Sequence, residues 1–339
     1  MRASLLPALL LTFLSKPDVC CQESFKIMFY NVENLFDTRD DSLTDDDNFT
    51  PAGALHWTKG RLSDKLNKIS KVILAAGEWQ PPAIIGMCEI ENRQVLNELV
   101  FNTPLSKFSY KIIHGDSPDE RGIDVALIHD SKRVRISHFS LIRVSGNGLL
   151  TRDILYARSI IQSDTFHVFI NHWPSRSSGQ LETEEYRMTA AKVLRYAVDS
   201  VLTKSPLAKI IIMGDFNDDP ENESLVKGLR SQTVQGDYEA GILYNLSSSP
   251  KGSVNGTLKY LGNWNLFDQM IVSGSLLNNP GGWHINPDCY KIFYNSFMLE
   301  TDEMYNGVKP FRTYNGYRYK GGFSDHLPVL IELTRFSDR

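Results

Sequence analysis

The stretch KIIIMGDFNDDP, beginning at Lys209, runs from apolar residues fit for a buried strand into a glycine, three aspartates, a phenylalanine and an asparagine. Asp215 and Asn217 stand two residues apart, so on an extended backbone both emerge on one side while Phe216 points into packing. Gly214 is read as permitting a close turn. Asp218 and Asp219 are read as turn residues before Pro220. Four further segments put the same residue types where an apolar run ends or begins: NVENLFD after FKIMFY, CEIEN after AIIGM, NHWPSR after FHVFI, and SDH before LPVLIEL. Carboxylates, amides and histidines at strand ends can be gathered from different strands around one site. Such residues can bind a metal or move protons.

Those strand ends need a scaffold. FKIMFYNV, AIIGM, IDVALIH, TFHVFINH, KIIIMG, FDQMIVS and LPVLIEL read as strands. Apolar spacing at Leu62, Leu66, Ile69 and Ile73 predicts a helix that stops near Gly77. A longer helix is predicted from about Glu182 to Leu202, with Glu182, Glu184 and Glu185 at the positive end of its dipole. VRISHFSLIRV, ILYARSIIQ and TFHVFINH follow one another without room for a helix, so hairpins must be mixed with crossover units. The architecture that fits is α/β, two packed mixed β-sheets flanked by helices. No low-complexity linker or repeat divides the chain, and residues 22–339 read as one domain.

Taken together and in order, the five segments resemble the endonuclease/exonuclease/phosphatase family, whose members share a deoxyribonuclease-like four-layered α/β sandwich. The resemblance runs from about Asn31 to Leu333. The longer stretches RGIDVALIHD, NHWPSR, WNLFDQMIVS and GGFSDHLPV are similar to a secreted or periplasmic bacterial branch. The resemblance implies a metal site of Glu89 and Asp325, with Asn31 and Glu33 orienting and assisting it. Mg²⁺ suits such oxygen ligands, with Mn²⁺ or Ca²⁺ as substitutes. It further implies that Asp215 orients or activates the nucleophile and Asn217 donates to a phosphoryl oxygen. His326 then stands beside the scissile phosphate, oriented by Asp268. His172 takes the place of a second phosphate-facing histidine, with Asp124 as its candidate partner. Asn171, Arg176 and Arg121 are candidates to face the substrate. The implied reaction is in-line attack of an activated water on phosphorus. A serine-hydrolase reading fails because no G-x-S-x-G elbow is present.

Family members cleave DNA, RNA, phosphoinositides, sphingomyelin and smaller phosphoesters, so the motifs leave the alcohol open. KPFRTYNGYRYKGGFSDH interleaves Arg312, Arg318 and Lys320 with Tyr314, Tyr317 and Tyr319, as a loop gripping a phosphate backbone and stacking bases would. That loop favours a nucleic-acid substrate and a nuclease. A phospholipid or small-molecule phosphoesterase would want an exposed apolar rim, which the sequence does not reveal. An inactive binding module on the same fold is disfavoured because every motif position is filled. Arg61, Lys65, Lys68 and Lys71 recur opposite the apolar helix face, where a solvated face is commoner than a phosphate-tracking stripe. The acidic loop DTRDDSLTDDD would repel a polyanion unless it lay off the groove or bound Ca²⁺.

The net charge of −4 excludes a globally basic nucleic-acid binder. MRASLLPALLLTFLSKPDVCCQ pairs Arg2 with an apolar run too short to span a bilayer. It reads as a signal peptide cleaved near Cys21, with a lipid anchor as the lesser reading, and points to a secreted or periplasmic monomer. Cys88 and Cys289 then remain, far from a disulfide framework. His56, His114, His129, His138 and His284 lack motif context and read as structural.

Overall fold

Each apolar run read as a strand forms one. The computed structural model describes residues 22–146, 149–177, 179–248, 254–278 and 282–336; the expected signal segment lies outside them. The chain begins with β1 (Gln22–Leu35), α1 (Lys59–Gly77), β2 (Ile84–Ile90), α2 (Arg93–Phe101), β3 (Tyr110–His114) and β4 (Asp124–Asp130). It continues through β5 (Arg135–Ile142), β6 (Ile154–Ile161), β7 (Asp164–His172), α3 (Glu184–Lys204), β8 (Lys209–Asp215), β9 (Ser231–Thr233) and β10 (Leu243–Asn245). A hairpin β11 (Leu258–Tyr260) and β12 (Asn263–Asn265) precedes β13 (Asp268–Ser273), β14 (His284–Ile285) and β15 (Lys291–Ile292). Two further hairpins, β16 (Leu299–Thr301) with β17 (Val308–Pro310) and β18 (Tyr314–Asn315) with β19 (Arg318–Tyr319), lead to β20 (Val329–Phe336).

The first sheet runs β14-β20-β1-β2-β4-β3 with β15 also on β20, and the second β5-β6-β7-β8-β13-β10-β9. Both are mixed. The parallel pair β1/β2 is joined by α1, and the parallel pair β7/β8 by α3. A right-twisted strand returns to its parallel neighbour only through such a crossover. The carboxyl ends of these four strands carry NVEN, CEIEN, NHW and GDFN, so the topology delivers four of the five motifs to one end of the sandwich. The hairpins predicted from β5 through β7 are present as antiparallel pairs.

Buried side chains of both sheets make the inner core, and Gly86 shows how closely they meet. A Cβ there would lie 2.7 Å from Sδ of Met213 and 2.9 Å from Cδ1 of Ile170. Gly214 likewise serves close approach and not the predicted turn: it lies within β8, where a Cβ would come 2.5 Å from the carbonyl oxygen of Asn171.

Helix α1 buries Leu62, Leu66, Ile69 and Ile73 as their spacing predicts, and Thr58 caps it by accepting from the amide of Arg61. Helix α3 starts at Glu184, so Glu182 falls outside its first turn. Helix α2 has no counterpart among the predicted elements; its nine residues give only two turns, and its signal is Asn92, which accepts from the amides of Gln94 and Val95. Cys88 and Cys289 are free thiols. No helix among the described residues is long and apolar enough to cross a membrane.

The basic stripe on α1 is only partly solvated: Lys71 is exposed, Arg61 and Lys68 are half-buried, and Lys65 is buried. Lys65 is buried and donates to Thr313 Oγ1 and, at 2.7 Å, to the carbonyl of Phe323. The Arg61 guanidinium lies 4.3 Å from the Tyr319 ring, Lys71 Nζ lies 4.1 Å from that of Phe297, and Lys68 donates to the carbonyl of Gly321. Arg61, Lys65 and Lys68 therefore pack against the tyrosine-rich loop.

Candidate active site

The first sheet distorts where its motifs end. The β1/β2 ladder shifts register between Asn31 and Leu35, and the β2/β4 ladder between Cys88 and Ile90. Glu33, Asn34, Glu89 and Asn217 have φ of 52°, 51°, 61° and 50°. Side-chain-bearing residues are strained in that region, and bulges re-aim side chains beside functional sites.

Asn31 stands at the junction. Its Nδ2 donates to Asp215 Oδ2 at 3.0 Å and to Glu89 Oε1 at 3.2 Å, and its Oδ1 accepts from the Glu33 amide at 3.0 Å. Glu89 Oε2 accepts from the Asn34 amide at 2.8 Å, and Asp215 Oδ1 from the Asn217 amide at 2.9 Å. Two imidazoles flank Asp215 Oδ2, with Nε2 of His172 at 3.7 Å and Nε2 of His326 at 3.8 Å. Nδ1 of His326 is 2.7 Å from Oδ2 of Asp268.

The two histidines are driven apart electrostatically. Burial opposes charge on His326, but Asp268 and Asp215 outweigh it and raise its pKa well above the ordinary value. Burial, then Arg152, Arg121 and His326, push His172 well below, leaving it neutral at pH 7. Burial raises Asp215 to about 6, with His326 opposing and Asp268 reinforcing the shift. Burial alone would raise Glu89 too, yet Arg121, His326 and the bonds from Asn34 and Asn31 hold it below the usual carboxylate range. Titratable neighbours pushed apart in this way sort into acid and base.

The donor set fits a divalent cation. Ligand atoms of Asp215, Asp268 and His326 lie within 4.8 Å of one another, as do those of Cys88, His172 and Asp215. Oδ1 of Asp268 is buried with no hydrogen-bond partner, an acceptor left for a cation or a water. Glu89, held ionised and joined to Asp215 through Asn31, adds the kind of oxygen a hard cation prefers.

Glu33 and Asp325 are differently engaged. Glu33 is buried, accepts from the Thr313 amide at 2.6 Å, and lies 3.4 Å from Arg312 Nε and 3.7 Å from Lys65 Nζ. Arg312 Nη2 donates to Asp325 Oδ2 at 2.9 Å. Arg312 and Lys65 thus supply the countercharge at this edge.

Several substrate-facing expectations are corrected. Asp124 does not hold His172; it lies 3.2 Å from Nε2 of His114 and accepts from Ser117. Asn171 is buried, donating to the Met213 carbonyl at 3.3 Å and accepting from Trp173 Nε1 at 3.3 Å. Arg176 is spent on the GDFND turn, donating to the Asn217 carbonyl at 2.7 Å, Asp218 Oδ1 at 2.8 Å and Asn222 Oδ1 at 2.9 Å. Asp218 exceeds its predicted turn role, since it also pairs at 2.8 Å with buried Arg187. Asn217 donates to the Trp173 carbonyl at 3.0 Å. Phe216 packs edge-on against Trp173, their centroids 4.8 Å apart, as alternation predicts. Arg121, Tyr317 and Arg318 project at the surface.

Arg152 belongs to the site without any motif to announce it. It is buried, donates to Asp119 Oδ2 at 2.8 Å and to the Trp173 carbonyl at 2.7 Å, and so fixes the chain just after His172. Its segment LLTRDIL, a polar Thr-Arg-Asp between apolar pairs, carries no motif that would single it out.

Packed mixed sheets with buried carboxylates and split histidines at their shared end define a metal-dependent phosphoester hydrolase. Residues 26–335 match the endonuclease/exonuclease/phosphatase family, and the chain belongs to it. No curated protein matches it by sequence. Among solved structures it is similar to an endonuclease/exonuclease/phosphatase family protein from Bacteroides thetaiotaomicron, with 15% identity, TM-score 0.58, and 94% of this chain and 100% of that one covered. A mannosyl-6-phosphatase from the same organism matches at 16% identity and TM-score 0.59, covering 91% of this chain and 99% of that one. The human Nocturnin catalytic domain with bound sulfate matches at 15% and 0.56, covering 94% and 97%. At such identities these likenesses concern the fold.

Proposed function

We propose that this chain hydrolyses phosphodiesters with a water nucleophile and a divalent cation, Mg²⁺ being the ion its oxygen donors favour. The carrying observation is the 2.7 Å contact of His326 with Asp268 beside an Asp215 whose pKa is raised to about 6. Asp268 holds the imidazolium and fixes its orientation, as a carboxylate does for a catalytic histidine. Asp215, ionised above about pH 6, accepts the proton of the attacking water. Neutral His172 donates one hydrogen bond to a nonbridging oxygen, and Asn217 offers its remaining amide hydrogen. Charged His326 stabilises the developing negative charge and protonates the departing alkoxide. Glu89, Asp215 and Asp268 would hold the cation, with Asn31 aligning the first two; it would supply Lewis-acid stabilisation of phosphoryl charge.

We also propose export of residues 22–339 as a monomer of a secreted or periplasmic bacterial branch, a reading supported by the charge and apolar run of residues 1–21. Support for a nucleic-acid substrate narrows to Arg121, Tyr317 and Arg318, because the other cations of the tyrosine-rich loop are paired with carboxylates. The test is turnover of bis(p-nitrophenyl) phosphate, plasmid DNA, RNA and phospholipid vesicles across a Mg²⁺ titration. No turnover of any substrate with metal present, or full turnover in excess chelator, would overturn the reading.

A further inference from the structure

The outer face of the second sheet is covered only in part. Leu194 and Val198 of α3 share a buried cluster with Phe169 of β7 and with Ile210 and Ile212 of β8. Beyond β7 the sheet continues through β6 to edge strand β5, beside the helix rather than under it. Alternation turns His138 of β5, Tyr156 and Arg158 of β6, and His167 and Phe169 of β7 to that side. With Tyr196 and Lys204 on the helix wall they line a groove of about 590 Å³. Small-ligand sites span about 300–1,000 Å³. The groove shares no residue with the catalytic set.

The floor of the groove is aromatic. The Tyr156 ring centroid lies 5.0 Å from that of Phe169, 5.9 Å from that of His167 and 6.2 Å from that of His138, and the His167 ring is within 17° of parallel to it. Rings set side by side in this way offer faces on which a planar ring can stack. His167 uses Nδ1 on the Tyr156 hydroxyl at 2.8 Å, and its Nε2 has no hydrogen bond among the described residues. The charge over this floor is positive. Arg158 Nε donates to Ser137 Oγ at 3.0 Å, and neither Arg158 nor Lys204 pairs with a carboxylate among the described residues. No carboxylate lines the groove. Those on flanking segments are engaged elsewhere, Asp153 with Arg143 at 2.8 Å, Asp164 with Lys209 at 2.6 Å, and Asp199 with Arg195 and Arg230. Lys204 sits in the last turn of α3, where its full charge more than offsets the roughly half negative charge of the helix end.

We propose that this groove is a second site, separate from the hydrolytic one, and that it binds a planar aromatic acid. The ring lies against Tyr156 and His167, and the acid group reaches Arg158 and Lys204. Nothing in this depends on the hydrolase reading. A second copy of the chain docked through edge strand β5 is disfavoured as the occupant on two grounds. The β5/β6 ladder shifts register between Ile136 and His138, and irregularity of that kind blunts an edge. A symmetric copy would also set its own Arg158 and Lys204 against these two, whereas an anion neutralises them.

The probe is 2-naphthoate, which carries no phosphoester for the catalytic site to cleave, titrated by calorimetry into the full chain in chelator beside the neutral 2-naphthalenemethanol. One naphthoate is expected to bind per chain, with the alcohol at least about tenfold weaker. Arg158→Gln with Lys204→Gln should weaken naphthoate at least about tenfold and leave turnover of bis(p-nitrophenyl) phosphate with Mg²⁺ unchanged. Ser200→Trp, which fills the groove from the helix wall, should abolish binding of both compounds. Equal affinity for acid and alcohol would reduce the groove to an unselective apolar patch and overturn the proposal. Unchanged naphthoate binding in the double variant would place the anion elsewhere, the catalytic site included, and would overturn it too. So would the absence of binding, or dimers in sedimentation velocity that Ser200→Trp disperses.

Discussion

Lys65 places its ammonium 3.7 Å from the carboxylate of Glu33, with both side chains shut off from solvent. Burial lowers the lysine pKa and raises that of Glu33, so each depends on its neighbours for charge. Lys65 also ties α1 to the segment before the SDH motif through Thr313 and Phe323. Breaking a buried pair from one side leaves an uncompensated charge, costing about 3–5 kcal/mol. Lys65→Met is therefore expected to destabilise by about that much in urea denaturation. Adding Glu33→Gln should recover a large part of the loss. A double variant as unstable as the sum of both singles would show that the pair is not coupled.

Glu89 is half-buried and combines a left-handed backbone with a lowered pKa. Glu89→Gln keeps the size of the side chain while removing the charge available to a cation. We expect Mg²⁺ binding by calorimetry to weaken at least about tenfold, hydrolysis to be nearly lost, and far-UV circular dichroism to be unchanged. Unaltered Mg²⁺ affinity would remove Glu89 from the cation site.

The strands were legible because each is a short apolar run bounded by polar residues, and motif order carried the family. Partners were not legible. Lys65 reads as an outward cation because helical spacing gives direction but not what packs on that face, and here the 311–323 loop covers it. Arg152 lacks a local pattern, and its value lies in the contact with Trp173 made by tertiary folding. Asp124 opens β4 in the first sheet, where His114 of neighbouring β3 reaches it before His172 can.

Asp215 makes the metal-free fold sensitive to pH. Its folded pKa, about 6, lies above the ordinary carboxylate value of 3.8, so the folded state holds the proton more tightly than the unfolded one. Its stabilising contribution is full below about pH 3.8 and is lost as pH rises through about 6. At about 1.36 kcal/mol for each pH unit between those two values, the loss is on the order of 2–3 kcal/mol. Asp215→Asn, assayed in chelator, should raise the denaturation midpoint at about pH 7.5, with the gain vanishing near pH 4. A gain independent of pH would assign it to packing rather than to the buried charge.

The His326–Asp268 pair gives the sharpest test of the site. If Asp268 acts through the imidazole, His326→Ala and Asp268→Asn each slow hydrolysis by orders of magnitude. The double variant should be little slower than the worse single one, because groups acting as a unit are strongly non-additive. Asp268→Asn removes the carboxylate that holds His326 charged, so the alkaline limb of its residual activity, set in the wild type by a raised histidine pKa, should move to lower pH, which a merely structural defect would not cause. His138→Ala, on edge strand β5 and remote from the motifs, should turn over near the wild-type rate. Multiplied losses in the double variant would refute the pairing even if both residues matter. Near-normal turnover of His326→Ala would bring down the assignment of the site as a whole.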